Sequence, residues 1–180
     1  MNVDQCIAYI HSKFRKGSVP GLHRIGILME KLGNPQNQLK FIHIAGTNGK
    51  GSTAAMLASI LNAAGYRTGL FTSPYIYRFH ERIQLCGQQI DDSDLERIVN
   101  EIQPIADAMA EPPTEFEVVC ATAFVYYLRK RADVVVLECG MGGLLDATNI
   151  IPCPEVAVIT NIGLDHTDFL FPKKKLMFSR

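Results

Sequence analysis

Two rhythms of apolar residues alternate along this chain. In one, Ala54, Leu57, Leu61 and Ala64 recur at helical spacing, and Gly65 follows where a left-handed residue would end the helix. In the other, short runs rich in apolar residues read as strands, at 41–44, 68–72, 134–137 and 156–160. The last two are continuously apolar, the pattern of strands buried on both faces. Further helices are predicted over 4–14, over 21–32 with a stop at Gly33 and Pro35, over 93–110 with a polar cap and an acidic first turn, and over 114–131. Alternation through Arg82, Ile83, Gln84 and Leu85, ahead of Gly87, predicts a small hairpin within 76–90. Helices interleaved with such strands predict an α/β fold, an open and mostly parallel sheet flanked by helices. No repeat and no low-complexity linker interrupts it.

Chemistry enters after the first strand, where residues 45–53 read AGTNGKGST. A loop that wraps phosphate needs backbone N–H groups turned inward with no Cβ atoms in the way, and a helix N-terminus behind it. Gly46, Gly49 and Gly51 meet the first need, and Lys50 supplies a positive charge for the β- and γ-phosphates. Ser52 or Thr53 is expected to cap the helix, with one hydroxyl free for a magnesium ion. The motif varies the common GxxxxGK[ST] pattern: Ile44 stands at the first glycine position, and Gly51 separates Lys50 from Ser52. The bland alternative, a turn and cap with an incidental lysine, leaves three glycines between a strand and a helix unexplained.

Composition narrows the setting. Eighteen basic and eighteen acidic residues balance to zero, which speaks against a broad nucleic-acid or membrane surface. A hydrophobic share of 47% over 180 residues is enough for one domain with a real core. No apolar run approaches the roughly 18 residues of a membrane span, and the N-terminal stretch lacks a basic leader, so a cytoplasmic protein is expected. Five cysteines (Cys6, Cys86, Cys120, Cys139 and Cys153) without CxxC spacing argue against a disulfide framework or a zinc site. They read as reduced packing residues.

In open parallel sheets, ligands sit beyond the carboxyl ends of the strands. Polar residues fall at four such ends: the glycine loop, Ser73, Glu138 closing VVVLE, and Asp165 with His166 in NIGLDH. A carboxylate ending a buried strand beside a phosphate loop suits nucleotide-bound Mg²⁺, which takes few protein oxygens and keeps several waters. Glu138 could equally be solvated or cap a turn, and a loop histidine such as His166 more often serves a backbone hydrogen bond than magnesium. The string TEFE also has two readings. Thr114 and Glu117 match a capping box, the reading these residues favour by themselves, while Glu115 and Phe116 could face a substrate bearing an aromatic ring.

The strings GLHRI, HIAGTNGKGST, FTSPYIYRFHERIQL, TEFEVVCATAF, ECGMGGLLDATN and VAVITNIGLDHTDFL, in this order, resemble the folylpolyglutamate synthase and dihydrofolate synthase family of the Mur ligase superfamily. The resemblance runs over residues 3–170. It implies a P-loop NTPase-like domain of the Mur ligase central type, and an ATP-dependent ligase that adds L-glutamate to folate or to dihydropteroate through an acyl phosphate. It further implies that Asn48, Gly49, Lys50, Gly51 and Ser52 bind ATP phosphates, and that Ser73, Glu138 and His166 hold Mg²⁺, with Lys50, Glu138 and His166 catalytic. By the same resemblance Glu115, Phe116, Glu117, Leu145, Asp146 and Ala147, with the segment 21–24, contact the pterin substrate, and Asp146 orients the glycine turn before it. A monomer is expected, with no nucleic-acid or membrane partner. The TSPYIYRFHERI stretch points to the folate branch rather than to a ligase of cell-wall precursors.

The chain departs from the family pattern in three ways. Leu144 stands where the family usually has an arginine, which removes a cation near anionic substrates. After Leu170 the family continues with a glycine turn and a helix bearing a carbamylated lysine, whereas this chain reads FPKKKLMFSR. The third departure is the expected absence of the rest of the ATPase domain and of the C-terminal domain that binds glutamate. A truncated product is therefore expected, with the strand at 156–160 left as an unpaired apolar edge. The competing expectation is a non-catalytic remnant that at most binds nucleotide.

Overall fold

A computed structural model describes residues 1–14 and 21–163. Its elements run α1 (Val3–Ser12), α2 (His23–Lys31), β1 (Phe41–Ala45), α3 (Lys50–Ala63), β2 (Thr68–Phe71), β3 (Ile83–Leu85), β4 (Gln88–Gln89), α4 (Asp92–Asp107), α5 (Glu115–Arg129), β5 (Val134–Glu138) and β6 (Val156–Ile159). Short 3₁₀ turns lie at Pro35–Gln38, Phe79–Arg82 and Ala147–Ile150. Most helix starts follow from side chains that satisfy the first free N–H groups. Asn2 caps α1, Asp91 caps α4, and Thr114 caps α5 in a box with Glu117. The 3₁₀ turn and the β3–β4 hairpin confirm the excursion predicted within 76–90. The hairpin turns at Cys86 and Gly87, both at positive φ, which suits the twist of a two-residue connection.

The six strands form one sheet in the order β4-β3-β2-β5-β1-β6. The pairs β2–β5, β5–β1 and β1–β6 are parallel, while the hairpin adds antiparallel pairs on one side. Alternation along the strands divides the core in two. On one face, Ile44 and Val136, with Ile42, Leu70 and Val158, meet α3, whose Ala54 and Ala58 let the helix come close. On the other, Phe41, Phe71, Val135 and Leu137 pack in a larger core with α1, α2, α4 and α5, where eleven residues of α5 are buried. No described helix is long and apolar enough to cross a membrane.

Two expectations need correction. The strand at 156–160 is not buried on both faces: among the described residues β6 pairs only with β1, and Val156 and Ile159 are 49% and 51% exposed. An apolar run cannot by itself show whether a neighbour exists to cover it. Nor are all the cysteines packing residues, because Cys6, Cys120 and Cys139 are buried whereas Cys86 and Cys153 are exposed. All five are free thiols.

Candidate functional site

The register brings the carboxyl ends of four parallel strands to one edge of the sheet. Ile44 lies beside Glu138, Ala45 beside Ile159, and Phe71 beside Leu137. The glycine loop after β1, Ser73 after β2 and Glu138 at the end of β5 are thus neighbours.

The loop reaches α3 through Gly49, which sits in the left-handed region at φ 80° as the N-cap. No side chain caps this helix, so the expected cap by Ser52 or Thr53 is replaced by a glycine turn, with both residues inside the first helical turn. An uncapped start leaves the first-turn N–H groups, at Lys50, Gly51 and Ser52, directed at whatever lies in the loop. The Lys50 ammonium donates to the Gly46 and Thr47 carbonyls at 2.9 and 3.3 Å.

The far wall of the loop is the segment after β6, where the sequence pointed to Asp165 and His166 but not to Asn161. Asn161 accepts the Asn48 N–H on its side-chain oxygen (2.8 Å) and the Thr47 N–H on its carbonyl (2.9 Å), while Gly163 N–H donates to the Thr47 hydroxyl at 2.9 Å. This contact explains Gly46: a Cβ there would lie 2.1 Å from Thr160 Oγ1, at a φ of 138° that side chains rarely adopt. The amide of Asn48 is therefore engaged by protein.

Glu138 is 5% exposed, and its Oε2 accepts the Ser73 N–H at 3.0 Å. Burial pushes its carboxyl above the ordinary value, opposed by the Ser73 hydrogen bond and the Lys50 charge. A buried carboxylate with this little compensation is one that a cation would stabilise. No cluster of three or more His, Cys, Asp or Glu side chains suited to a metal occurs among the described residues. Magnesium does not require one, since phosphates and water complete its shell. Ser73 and Glu138 together fit that ion, while His166 and Asp165 lie outside the described residues.

Next to this edge opens a cleft of about 350 Å³. The sequence-predicted substrate residues Glu115, Phe116, Glu117, Leu145, Asp146 and Ala147 all line it, as do Gly21, Arg24 and Ser73. The capping box of TEFE forms as expected, and its residues also line the cleft. Glu117 accepts the Thr114 N–H at 2.6 Å as a cap and also the Arg24 Nε–H at 3.1 Å, while Glu115 and Phe116 face the cleft. Asp146 orders the glycine turn as expected, accepting the Met141 N–H at 2.7 Å and capping the next 3₁₀ turn through the Thr148 N–H at 3.0 Å. Arg82 was not singled out by sequence. It is 8% exposed, its guanidinium lies 5.2 Å from the Tyr75 ring centre and 4.0 Å from Glu115 Oε1, and it adds a cation to the cleft. Its one signal was its place in the string FHERIQL, whose alternation identifies a strand but not a site.

Comparison with known proteins agrees with this geometry. The Mur ligase middle domain family matches residues 44–177. The chain is 44% identical over 168 residues to a dihydrofolate synthase/folylpolyglutamate synthase of Bacillus subtilis (strain 168), covering 91% of this chain and 39% of that protein. It superposes on a mutant of the L. casei folylpolyglutamate synthase with a TM-score of 0.89 at 39% identity, covering 98% of this chain and 44% of that one. A folylpolyglutamate synthase–AMPPCP–folate complex matches with a TM-score of 0.87 at 43% identity, covering 94% and 42% of the two chains. This chain thus spans about two fifths of the length of the B. subtilis relative. From the glycine loop, the parallel sheet and a middle-domain match over residues 44–177, the chain belongs to the Mur ligase family.

Proposed function

We propose that this chain is the nucleotide-binding part of an ATP-dependent ligase that adds L-glutamate to folate or dihydropteroate in the cytoplasm. The observation that carries the reading is the shared edge: the uncapped helix start with Lys50, the Ser73–Glu138 pair and the cleft all adjoin. Relatives named as folylpolyglutamate and dihydrofolate synthases, and the complex with AMPPCP and folate, support it.

In this reading the substrate carboxylate attacks the γ-phosphate of ATP, forming an acyl phosphate and releasing ADP. The glutamate amine then attacks the acyl carbonyl, and inorganic phosphate leaves as the amide forms. Lys50 and the amides of Gly49, Gly51 and Ser52, with Asn48 beside them, hold the phosphates and offset the charge that moves onto the leaving oxygen. Ser73, Glu138 and His166 would hold Mg²⁺, which when bound neutralises phosphate charge. The cleft takes the pterin: Phe116 and Leu145 supply apolar surface, Glu115, Glu117 and Asp146 supply acceptors for ring N–H groups, and Ala147 leaves room. Positioning and charge compensation do most of the work in such transfers.

Calorimetric titration with ATP and magnesium, comparing the chain with Lys50→Ala, tests the reading. Binding that disappears in the variant supports it and justifies an assay of glutamate ligation to dihydropteroate. If neither protein binds, the motifs mark ancestry and the proposal is overturned for this polypeptide.

A further inference from the structure

We propose that His43 is a positioning residue for Asp146, acting through the Thr148 hydroxyl, so that the strand feeding the phosphate loop also sets one wall of the cleft. The inference rests on the reading of that cleft as the site of a pterin-bearing substrate.

His43 lies in the middle of β1, between Ile42 and Ile44, which face α3. Alternation puts His43 on the opposite face, where Phe41 enters the apolar core. A polar ring in such a place needs a partner. Its Nε2 lies 2.9 Å from Oγ1 of Thr148, a residue with no exposed surface. Thr148 Oγ1 is in turn 2.6 Å from Asp146 Oδ1. A hydroxyl has one proton, and a carboxylate only accepts, so Thr148 donates to Asp146 and must accept from His43 Nε2–H. The direction of the chain is thereby set from imidazole to hydroxyl to carboxylate.

Asp146 divides its two oxygens between this chain and the glycine turn. Oδ1 takes the Thr148 hydroxyl and amide, and Oδ2 takes the Met141 N–H at 2.7 Å. Met141 and Asp146 both line the cleft, so the carboxylate's position and the cleft wall move together. Burial holds the His43 ring below the ordinary imidazole range, against the pull of Asp146, which agrees with a neutral ring protonated at Nε2. The Cys139 thiol also lies against this network, and burial with the Asp146 charge keeps it protonated. Packing alone would be met by valine or leucine at position 43 and valine at 148. A hydrogen-bonded chain that ends on a cleft carboxylate does something that packing does not require.

The test uses the full chain with dihydropteroate as probe, its affinity read from pterin fluorescence, for wild type, His43→Phe, His43→Gln, Thr148→Val and the double variant His43→Phe/Thr148→Val. Loss of one buried hydrogen bond in the chain is expected to weaken dihydropteroate binding roughly tenfold in His43→Phe. His43→Gln, whose amide nitrogen can take the place of Nε2, should restore most of it, and the double variant should be no worse than Thr148→Val alone. Magnesium-dependent ATP binding should stay unchanged throughout. In ¹⁵N NMR the ring should show a neutral Nε2–H tautomer, and the Met141 amide resonance should shift in His43→Phe. Equal affinity of His43→Phe and wild type, failure of His43→Gln to restore binding in a folded protein, or an Nδ1–H tautomer would each overturn the proposal. If His43→Phe does not fold, His43→Gln, Thr148→Val and the wild-type tautomer decide it. If wild type takes up no dihydropteroate, the reading of the cleft fails separately, and the tautomer with the Met141 shift still decides whether His43 sets Asp146.

Discussion

Glu138→Gln is expected to strengthen the ligand-free fold while removing magnesium-dependent ATP binding. The carboxylate is 5% exposed and accepts the Ser73 N–H at 3.0 Å. Burial is the largest influence on its protonation, and the Ser73 bond and the Lys50 charge only partly offset it. Glutamine keeps an acceptor for Ser73 and removes the buried charge, so the variant loses the Lys50 attraction and gains relief from desolvation. The net gain at neutral pH should be about 1 kcal/mol, in the range typical of changes that relax a functional site. For a chain of this size that is a rise in Tm of roughly 2–4 °C. The sign with pH follows from the raised folded-state value. Below the ordinary value of 4.5 the acid is neutral in both folded and unfolded chains, and the cost of burying its charge is absent. As pH rises through the folded-state value, wild type loses stability that the variant keeps, and the gap is complete above it. Thermal unfolding by circular dichroism from about pH 4 to about pH 8, without divalent metal, measures that gap. A Tm for Glu138→Gln below wild type at neutral pH, or a gap that narrows as pH rises, would refute the burial argument. Retained magnesium-dependent ATP binding would refute the assignment of Glu138 to the metal.

Asn161→Ala removes the side-chain acceptor of the Asn48 N–H, and should weaken ATP binding roughly tenfold with little change in Tm, read by calorimetry and thermal unfolding. Gly69→Ala would place a Cβ 2.8 Å from two ring carbons of Tyr127, which has no exposed surface and whose hydroxyl donates to the Leu70 carbonyl at 2.7 Å. The ring has nowhere to move, so a loss of about 1–3 kcal/mol is expected from overpacking, seen as a lower midpoint in urea unfolding. An unchanged midpoint would mean that β2 and α5 separate freely.

Legibility differed between kinds of feature. The strand, glycine loop and helix around Lys50 were readable because the backbone conformations they need are encoded by adjacent residues. The capping box of TEFE was readable for the same reason, its two partners being three residues apart. The helix start at α3 was misread at its cap, since Ser52 and Thr53 are good capping types but Gly49 already takes the turn in the left-handed region. Arg82, Asn161 and His43 carried no local signal of a role in the site. Arg82 gains its meaning from Tyr75 and Glu115, Asn161 from a loop more than a hundred residues earlier, and His43 from Thr148 more than a hundred residues later.

The sequence by itself determined the alternation of elements, the glycine loop and the short-range caps, because apolar period, glycine placement and side-chain reach act over a few residues. Only the tertiary structure decided that β5 inserts between β1 and β2, which sets Glu138 beside the loop and Ser73. It also decided that residues from α5 and from the glycine turn after β5 converge on one cleft, and that β6 lies at the edge of the described sheet. Those outcomes depend on which surfaces bury one another. That is a property of the whole packed chain, since the free energy of covering an apolar face is the same whichever distant segment covers it.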